Sequence, residues 1–104
     1  MANHRFRITA FIYDKRGRLL STGHNSYIKT HTLQAKYATA AGKPDAIYLH
    51  AEVAAIVKLR NWKEAYKITI VRYTRKGESA LASPCAICRS VIKQTGIKEI
   101  CYTT

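Results

Sequence analysis

His50-Ala51-Glu52 and Pro84-Cys85-Ala86-Ile87-Cys88 are the two segments from which the rest of this 104-residue sequence is best interpreted. Apolar residues follow each segment with the three- and four-residue spacing of a helix. Residues 66–73, which lie between the two segments, are β-branched and aromatic and predict a strand. Residues 97–102 predict a last short strand, so strand, helix and strand follow one another as in a parallel βαβ unit.

The N-terminal part of the chain predicts a β-hairpin. Residues 5–13 alternate between apolar and polar side chains over most of their length, as a half-buried strand does. Residues 14–17 read Asp-Lys-Arg-Gly, which is typical of a turn, and residues 18–23 supply the returning strand. Combined with the βαβ unit, the hairpin predicts an α/β fold with one mixed sheet and helices packed on it.

Capping signals place the ends of the other helices. Residues 33–41 predict a short helix that ends before Gly42. Ser83 and Pro84 are predicted to be the N-cap and the first residue of the helix that precedes the last strand. Gly96 follows that helix in the position that favours a left-handed backbone.

Four side chains carry the candidate chemistry. One imidazole, from His50, and two thiolates, from Cys85 and Cys88, are ligands that suit zinc. The two cysteines are three positions apart and point the same way from a helix, whose N-terminus lowers thiol pKa values. Three protein ligands leave one tetrahedral position open, which is typical of catalytic zinc. Glu52 lies two residues after His50, close enough to move a proton at that open position.

Composition predicts a single domain over residues 1–104 that contacts no membrane. Lys and Arg number 18 and Asp and Glu number 6, so the net charge of +12 favours anionic partners. The longest apolar run has five residues, far short of the roughly 20 that a membrane helix needs. No signal peptide is recognisable and three cysteines make no disulfide framework, so we expect an intracellular, cytoplasmic protein. The third cysteine, Cys101, is predicted to be buried in the core.

These residues give the sequence a resemblance to a known family. His50-x-Glu52 followed by Pro84-Cys85-x-x-Cys88 resembles the signature of the zinc-dependent cytidine/deoxycytidylate deaminase superfamily. The two halves of the signature begin 34 positions apart, and the resemblance extends over most of the chain. It implies a three-layer α/β/α cytidine deaminase-like fold, here truncated. It also implies Zn²⁺ held by the histidine and the two cysteines, with the glutamate as the catalytic proton carrier.

The resemblance further implies three substrate contacts. Gly23-His24-Asn25 resembles a Gly-x-Asn element whose asparagine contacts the sugar or base of the substrate. The backbone N–H of Ala51 is implied to face the pyrimidine carbonyl, and Ser83 is implied to line the pocket near the exocyclic amine. Asn25 has a second explanation, because asparagine also ends hairpins and turns.

The match to the family is shortened at both ends. Family members usually carry an N-terminal helix and a further element after the fourth strand, and neither is recognisable in this sequence. We therefore expect an uncovered part of the sheet and a homo-oligomer that covers it. Residues 26–48 match no recognisable part of the family, which leaves substrate selection open.

The sequence thus predicts zinc-dependent deamination of a cytosine ring to uracil with release of ammonia. The expected substrate is a cytidine or deoxycytidine nucleotide such as dCMP. The positive charge favours an alternative, a deaminase acting on cytosine, less often adenine, in single-stranded DNA or RNA. A third alternative is a basic nucleic-acid-binding module with a structural zinc, against which the presence of Glu52 argues.

Overall fold

A computed structural model describes residues 7–26, 30–42, 50–74 and 76–104. Within these ranges the strands are β1 (Arg7–Tyr13), β2 (Leu19–His24), β3 (Lys67–Tyr73), β4 (Ser79–Ala80) and β5 (Glu99–Tyr102). The helices are α1 (Thr32–Ala40), α2 (Ala51–Val57) and α3 (Ala86–Thr95), and a short 3₁₀ turn lies at Trp62–Glu64. None of the helices in the described ranges is long and apolar enough to cross a membrane.

The strands form one mixed sheet. β1 lies between β2 and β3 and pairs antiparallel with both. β5 pairs parallel with β3, and the two-residue β4 pairs antiparallel with the end of β3. The predicted hairpin and the predicted parallel pair are therefore present in the same sheet, and the α/β fold is confirmed. The two-residue β4 has no counterpart in the sequence prediction.

Alternation along the central strands places the core on one face of the sheet. Ala10 and Ile12 of β1 and Ile68 and Ile70 of β3 are fully buried there. Helix α2 packs on this face, contacts β1, β2 and β3, and buries every residue from Ala51 to Ile56. Each large aliphatic side chain so enclosed contributes about 1.5–3 kcal/mol. The core therefore holds α2 against the sheet, and with it the His50-Ala51-Glu52 segment.

Gly23 of β2 allows the closest contact between the sheet and α2. A Cβ atom at this position would overlap backbone atoms of Ala51 and Ala55. Beside it, the Ser21 hydroxyl donates a hydrogen bond of 2.7 Å to the carbonyl oxygen of Ala55. Helix and strand thus approach to backbone contact, which sets the position of the start of α2 relative to the end of β2.

Helix α3 buries one side and exposes the other. Ile87, Cys88, Val91 and Ile92 face the core, whereas the residues between them are exposed. As predicted, the helix ends at Gly96, whose φ of 84° lies in the left-handed region. The amphipathic pattern therefore places the two cysteines of the Pro84–Cys88 segment at the boundary between the core and solvent.

The predicted start of α3 is wrong by two residues. Cys85, with extended backbone dihedrals, is the N-cap, and the helix begins at Ala86. Ser83 and Pro84 belong to the preceding loop, where the Arg89 guanidinium donates to the Ser83 hydroxyl and to the Pro84 carbonyl oxygen. A side chain from the helix's own first turn thus holds this loop, a contact that capping preferences do not predict.

The sequence also predicts the position of a short helix and the burial of the third cysteine. The short helix predicted at 33–41 is α1, at Thr32–Ala40. Cys101 is exposed, so its predicted burial in the core is wrong. All four residues of β5 are exposed, on both faces of the sheet, so the described residues do not cover this strand. Cys101 pairs with Thr69 and therefore lies on the face opposite the buried Ile68 and Ile70.

That opposite face of the sheet carries apolar and aromatic side chains. Phe11, Tyr13, Val71 and Tyr73 alternate with the core positions of β1 and β3. None of them is buried by the residues that the structure describes, and 46% of the Tyr73 surface is exposed. We refer to these four residues and Cys101 as the outer sheet face.

Candidate metal centre

The three predicted metal ligands lie at the starts of two helices. His50 is the N-cap of α2 and Cys85 is the N-cap of α3, and neither side chain forms a capping hydrogen bond. Cys88 follows in the first turn of α3 and is fully buried. The two N-cap side chains meet between the two helix starts, where each also contacts Cys88.

The ligand atoms are spaced as zinc requires. His50 Nδ1 lies 3.1 Å from Cys88 Sγ and 3.6 Å from Cys85 Sγ, and all three donor atoms lie within 4.8 Å of one another. Tetrahedral zinc with bonds of about 2.3 Å to sulfur and about 2.1 Å to nitrogen places such atoms about 3.6 Å apart. The donor set is therefore close to the size of a zinc site, with the Cys88 contact slightly compressed.

Contacts within the cluster favour the charged forms of Cys85 and His50 and the neutral form of Cys88. A hydrogen bond from Cys88, followed by one from His50, lowers the pKa of Cys85 to about 3. The same contact with Cys85, together with burial, raises the pKa of Cys88. The hydrogen bond to Cys85 raises the pKa of His50. One thiolate thus forms readily, while ligation by all three groups requires the release of further protons.

Glu52 lies beside this cluster without belonging to it. Only 6% of its surface is exposed, and burial raises the pKa of its carboxyl group. A hydrogen bond with Cys88 and the charge of His50 act in the opposite direction, so the carboxyl group is next to two of the ligands. A buried carboxyl with a raised pKa, next to a metal site, is suited to taking up and releasing protons.

A cleft of about 240 Å³ opens beside the cluster. It is smaller than the roughly 300–1,000 Å³ of pockets that enclose drug-sized ligands, so its size suits a single ring with part of a substituent. Its lining comprises Ile8, Asn25, His50, Ala51, Glu52, Arg72, Leu81, Ala82, Ser83 and Cys85. All predicted site residues except Cys88, which lies in the core, therefore line one cleft.

Asn25 extends the hairpin pairing and also lines the cleft. Its Oδ1 accepts a hydrogen bond of 3.0 Å from the N–H of Ile8, and its own N–H donates to the Ile8 carbonyl oxygen. These bonds continue the β1–β2 pairing past the end of β2. The residue also lines the cleft, so the hairpin end positions it there.

Arg72, Ile8 and the loop residues Leu81 and Ala82 are the cleft residues that sequence motifs did not identify. A signal for Arg72 exists in β3, where it follows the buried Ile68 and Ile70 at the same spacing of two. A cation at a position that alternation assigns to the core face is unusual. It indicates that the core ends and a polar cavity begins at that point of the strand.

The fold and the cluster together define a zinc-binding domain of the deaminase type, with an α/β sheet and a His-Cys-Cys centre at two helix starts. Consistent with this class, the sequence model for the cytidine and deoxycytidylate deaminase zinc-binding region matches residues 1–104. The chain belongs to this family, and its His50-Cys85-Cys88 group is positioned to bind the zinc ion. No curated protein matches the sequence.

Proposed function

We propose that this protein hydrolyses the amine of a cytosine ring, giving uracil and ammonia, with a cytidine or deoxycytidine nucleotide such as dCMP as substrate. The observation that carries the proposal is the position of Glu52. It is buried beside three zinc ligands and faces a ring-sized cleft, and it is not itself a ligand. A structural zinc site in a basic binding module would need neither an open coordination position nor a carboxyl group beside it.

The chemistry divides between the metal and the chain. Zinc bound by His50, Cys85 and Cys88 would supply Lewis-acid activation of water at neutral pH. Glu52 takes the proton of the attacking water and gives a proton to the ring nitrogen as the C–O bond forms at the amine-bearing carbon. It then carries the second proton to the amine, which leaves as ammonia when the C–N bond breaks.

Three further residues of the cleft are proposed to orient the base. The backbone N–H of Ala51 is assigned to the pyrimidine carbonyl, since Ala51 lines the cleft next to Glu52. Ser83, whose hydroxyl accepts a hydrogen bond of 3.0 Å from Arg89, is assigned to the region of the exocyclic amine. Asn25 is assigned to the sugar or the base, because the β1–β2 hairpin end holds it in the lining.

Deamination of cytosine within single-stranded DNA or RNA is the second candidate, and the net charge of +12 supports it. A strand would contact several phosphates, so the logarithm of its affinity should fall with the logarithm of salt concentration by about 0.7 per contact. A mononucleotide engages one phosphate and should show a shallow dependence. The small cleft favours the mononucleotide.

One assay tests the function and separates these candidates. Purified protein is incubated with dCMP, CMP, cytidine, AMP and a cytosine-containing oligonucleotide, and each product is identified by mass. We expect uracil products from dCMP and CMP. Conversion of the oligonucleotide alone would mean that the substrate is single-stranded nucleic acid. Conversion of AMP alone would mean that the substrate base is adenine. No conversion of any compound by zinc-loaded protein would contradict the deaminase function.

A homo-oligomer is the proposed assembly, with the outer sheet face as its contact surface. The apolar side chains of Phe11 and Val71 on that face favour association with a second copy. Light scattering should give a mass above that of one chain, and Val71→Glu should lower it. The matched variant Thr39→Glu, on the exposed side of α1, should not. A monomer at all concentrations would contradict the proposal.

A further inference from the structure

The cleft beside the metal centre has two walls of different origin. One wall consists of the first residues of α2, including Glu52, and of the loop before α3. The other consists of Ile8, Asn25 and Arg72, which lie where β1, β2 and β3 meet. These three are contiguous, because the sheet register pairs Ile8 with Arg72 and the Asn25 side chain accepts a hydrogen bond from Ile8.

This arrangement gives the substrate a direction. The amine-bearing carbon must lie against the helix wall, where Glu52 and the zinc ligands are. The part of the molecule attached to the far side of the ring then extends toward the strand wall. In a cytosine nucleotide that part is the sugar and its phosphate.

Arg72 holds a defined position in the strand wall. Its backbone N–H donates to the Thr103 hydroxyl at 3.0 Å, and its Nη1 donates to the Leu81 carbonyl oxygen at 3.2 Å. Leu81 is part of the same loop that leads to the zinc ligand Cys85. The guanidinium is therefore fixed between β3 and the loop that borders the cleft, rather than extended into solvent.

The chemistry of the side chain indicates what it binds. A guanidinium is charged at all physiological pH values and carries five N–H donors in a planar arrangement that matches two phosphate oxygens. The cytosine ring is uncharged and offers no such group. A positioned arginine in the strand wall of a base-sized cleft is instead complementary to the anion attached to the base.

We propose that Arg72 is a specificity-determining residue that binds the phosphate of the cytosine substrate. The proposal rests on the proposed deaminase function and adds phosphate as the group that the site selects. A free nucleotide and a nucleic acid strand both present this chemistry, and the experiment below includes both.

The test compares the wild-type protein with Arg72→Gln on dCMP, deoxycytidine and a short cytosine-containing oligonucleotide. Loss of a charge-assisted hydrogen bond should lower kcat/KM for dCMP by about 10–100-fold, mainly through KM. The effect on deoxycytidine should be far smaller, since it lacks the phosphate. Arg72→Lys should recover part of the loss, because it restores the charge without the planar pair of donors.

Arg16→Gln is the matched control. It removes the same charge from the exposed turn between β1 and β2, so it reports the effect of net charge alone. We expect wild-type ratios of dCMP to deoxycytidine turnover. Equal losses in Arg16→Gln and Arg72→Gln would assign the effect to the overall field of the protein and overturn the proposal.

Binding measurements separate failure of this inference from failure of the proposed function. Calorimetry with the product dUMP and with deoxyuridine reports phosphate recognition without turnover, and it can be applied to the wild-type protein if Arg72→Gln does not fold. Tighter binding of dUMP, weakened in the Arg72 variants, supports the proposal. Equal affinities for dUMP and deoxyuridine in the wild type, with no phosphate-dependent binding of the oligonucleotide, would overturn it even if deamination occurs. If the Arg72 variants lose affinity for the oligonucleotide but not for dUMP, the phosphate that Arg72 binds belongs to a nucleic acid strand.

Discussion

Helices α2 and α3 each begin at a zinc-ligating residue, yet the protein covers them to different extents. Six of the seven residues of α2 are buried, whereas five of the ten residues of α3 are, so only α3 has a side open to solvent. The buried helix carries Glu52, whose proton affinity depends on exclusion of water. The half-exposed helix begins after Cys85 and includes Cys88, so it supplies the two thiols. The buried carboxyl group and the two thiols of one metal centre thus come from helices that differ in their exposure to solvent.

Cys88→Ala, in α3, should have the largest effect on the metal centre. Removal of the buried sulfur leaves two ligands, so we expect zinc content to fall well below one per chain and turnover to disappear. Elemental analysis and the deamination assay measure the two effects. Cys101→Ala, which alters a thiol on the outer sheet face, is the matched control and should keep both. Full zinc content in active Cys88→Ala protein would show that the assigned ligand set is wrong.

On the α2 side, Glu52→Gln should separate metal binding from chemistry. The amide fills the same space but carries no proton between water and substrate, so kcat should fall about 10²–10⁴-fold or more. Zinc content and the melting temperature should stay close to those of the wild type, because Glu52 is not a ligand. A wild-type rate in this variant would remove Glu52 from the proposed mechanism.

Gly23→Ala probes how tightly α2 is held. The added methyl group would overlap the α2 backbone, and overpacking of this kind costs about 1–3 kcal/mol. We expect a value at the upper end, since backbone atoms cannot rotate away, together with reduced turnover from displacement of the start of α2. Chemical denaturation and the deamination assay measure both effects.

Gly96→Ala at the end of α3 is the matched glycine substitution for that experiment. Its cost of about 1–2 kcal/mol would come from the left-handed φ of 84° alone, with no neighbouring atom in the way. Turnover should stay close to wild type, because the exposed end of α3 is far along the helix from Cys85. An equal loss of turnover in both variants would contradict the separation of the two helices.

Asp14→Asn in the β1–β2 turn should have the smallest effect and gives a baseline outside both helices. Backbone N–H donation from Arg18 is the largest of the contacts that lower the pKa of Asp14 below its usual 3.8. A lowered pKa in the folded state stabilises the protein above pH 3.8 and ceases to do so as pH falls through the lower value. The difference in melting temperature between Asp14→Asn and wild type should therefore narrow as pH falls below 3.8.

The comparison of the two helices also shows what the sequence could predict. The zinc ligands and Glu52 follow from residue type and spacing, because ligand geometry restricts both. The hairpin and the parallel pair follow from alternation and turn residues. The predicted start of α3 is wrong because Arg89, in the first turn of the helix, holds Ser83 and Pro84 in the loop.

Two other features depend on pairing that no local pattern specifies. Cys101 lies in an apolar stretch, but its face is set by its register opposite Thr69. Arg72 lines the cleft because the first residues of β1 pair with the last residues of β3, and this end of the sheet lies next to the helix starts. Alternation shows that Arg72 shares the face of Ile70, yet only the assembled sheet shows that a cavity is located there.

The central position of β1 has a consequence for the order in which the protein folds during synthesis. β1 pairs with β2 across a short turn, whereas its other neighbour, β3, lies more than fifty positions further along the chain. Local pairing forms quickly and distant pairing slowly, so the hairpin can form while β3 is still untranslated. The cysteines of α3 are synthesised later still. Metal uptake by the complete ligand set therefore requires synthesis of β1, β2, β3 and the start of α3, whereas β5 is added to the sheet later still.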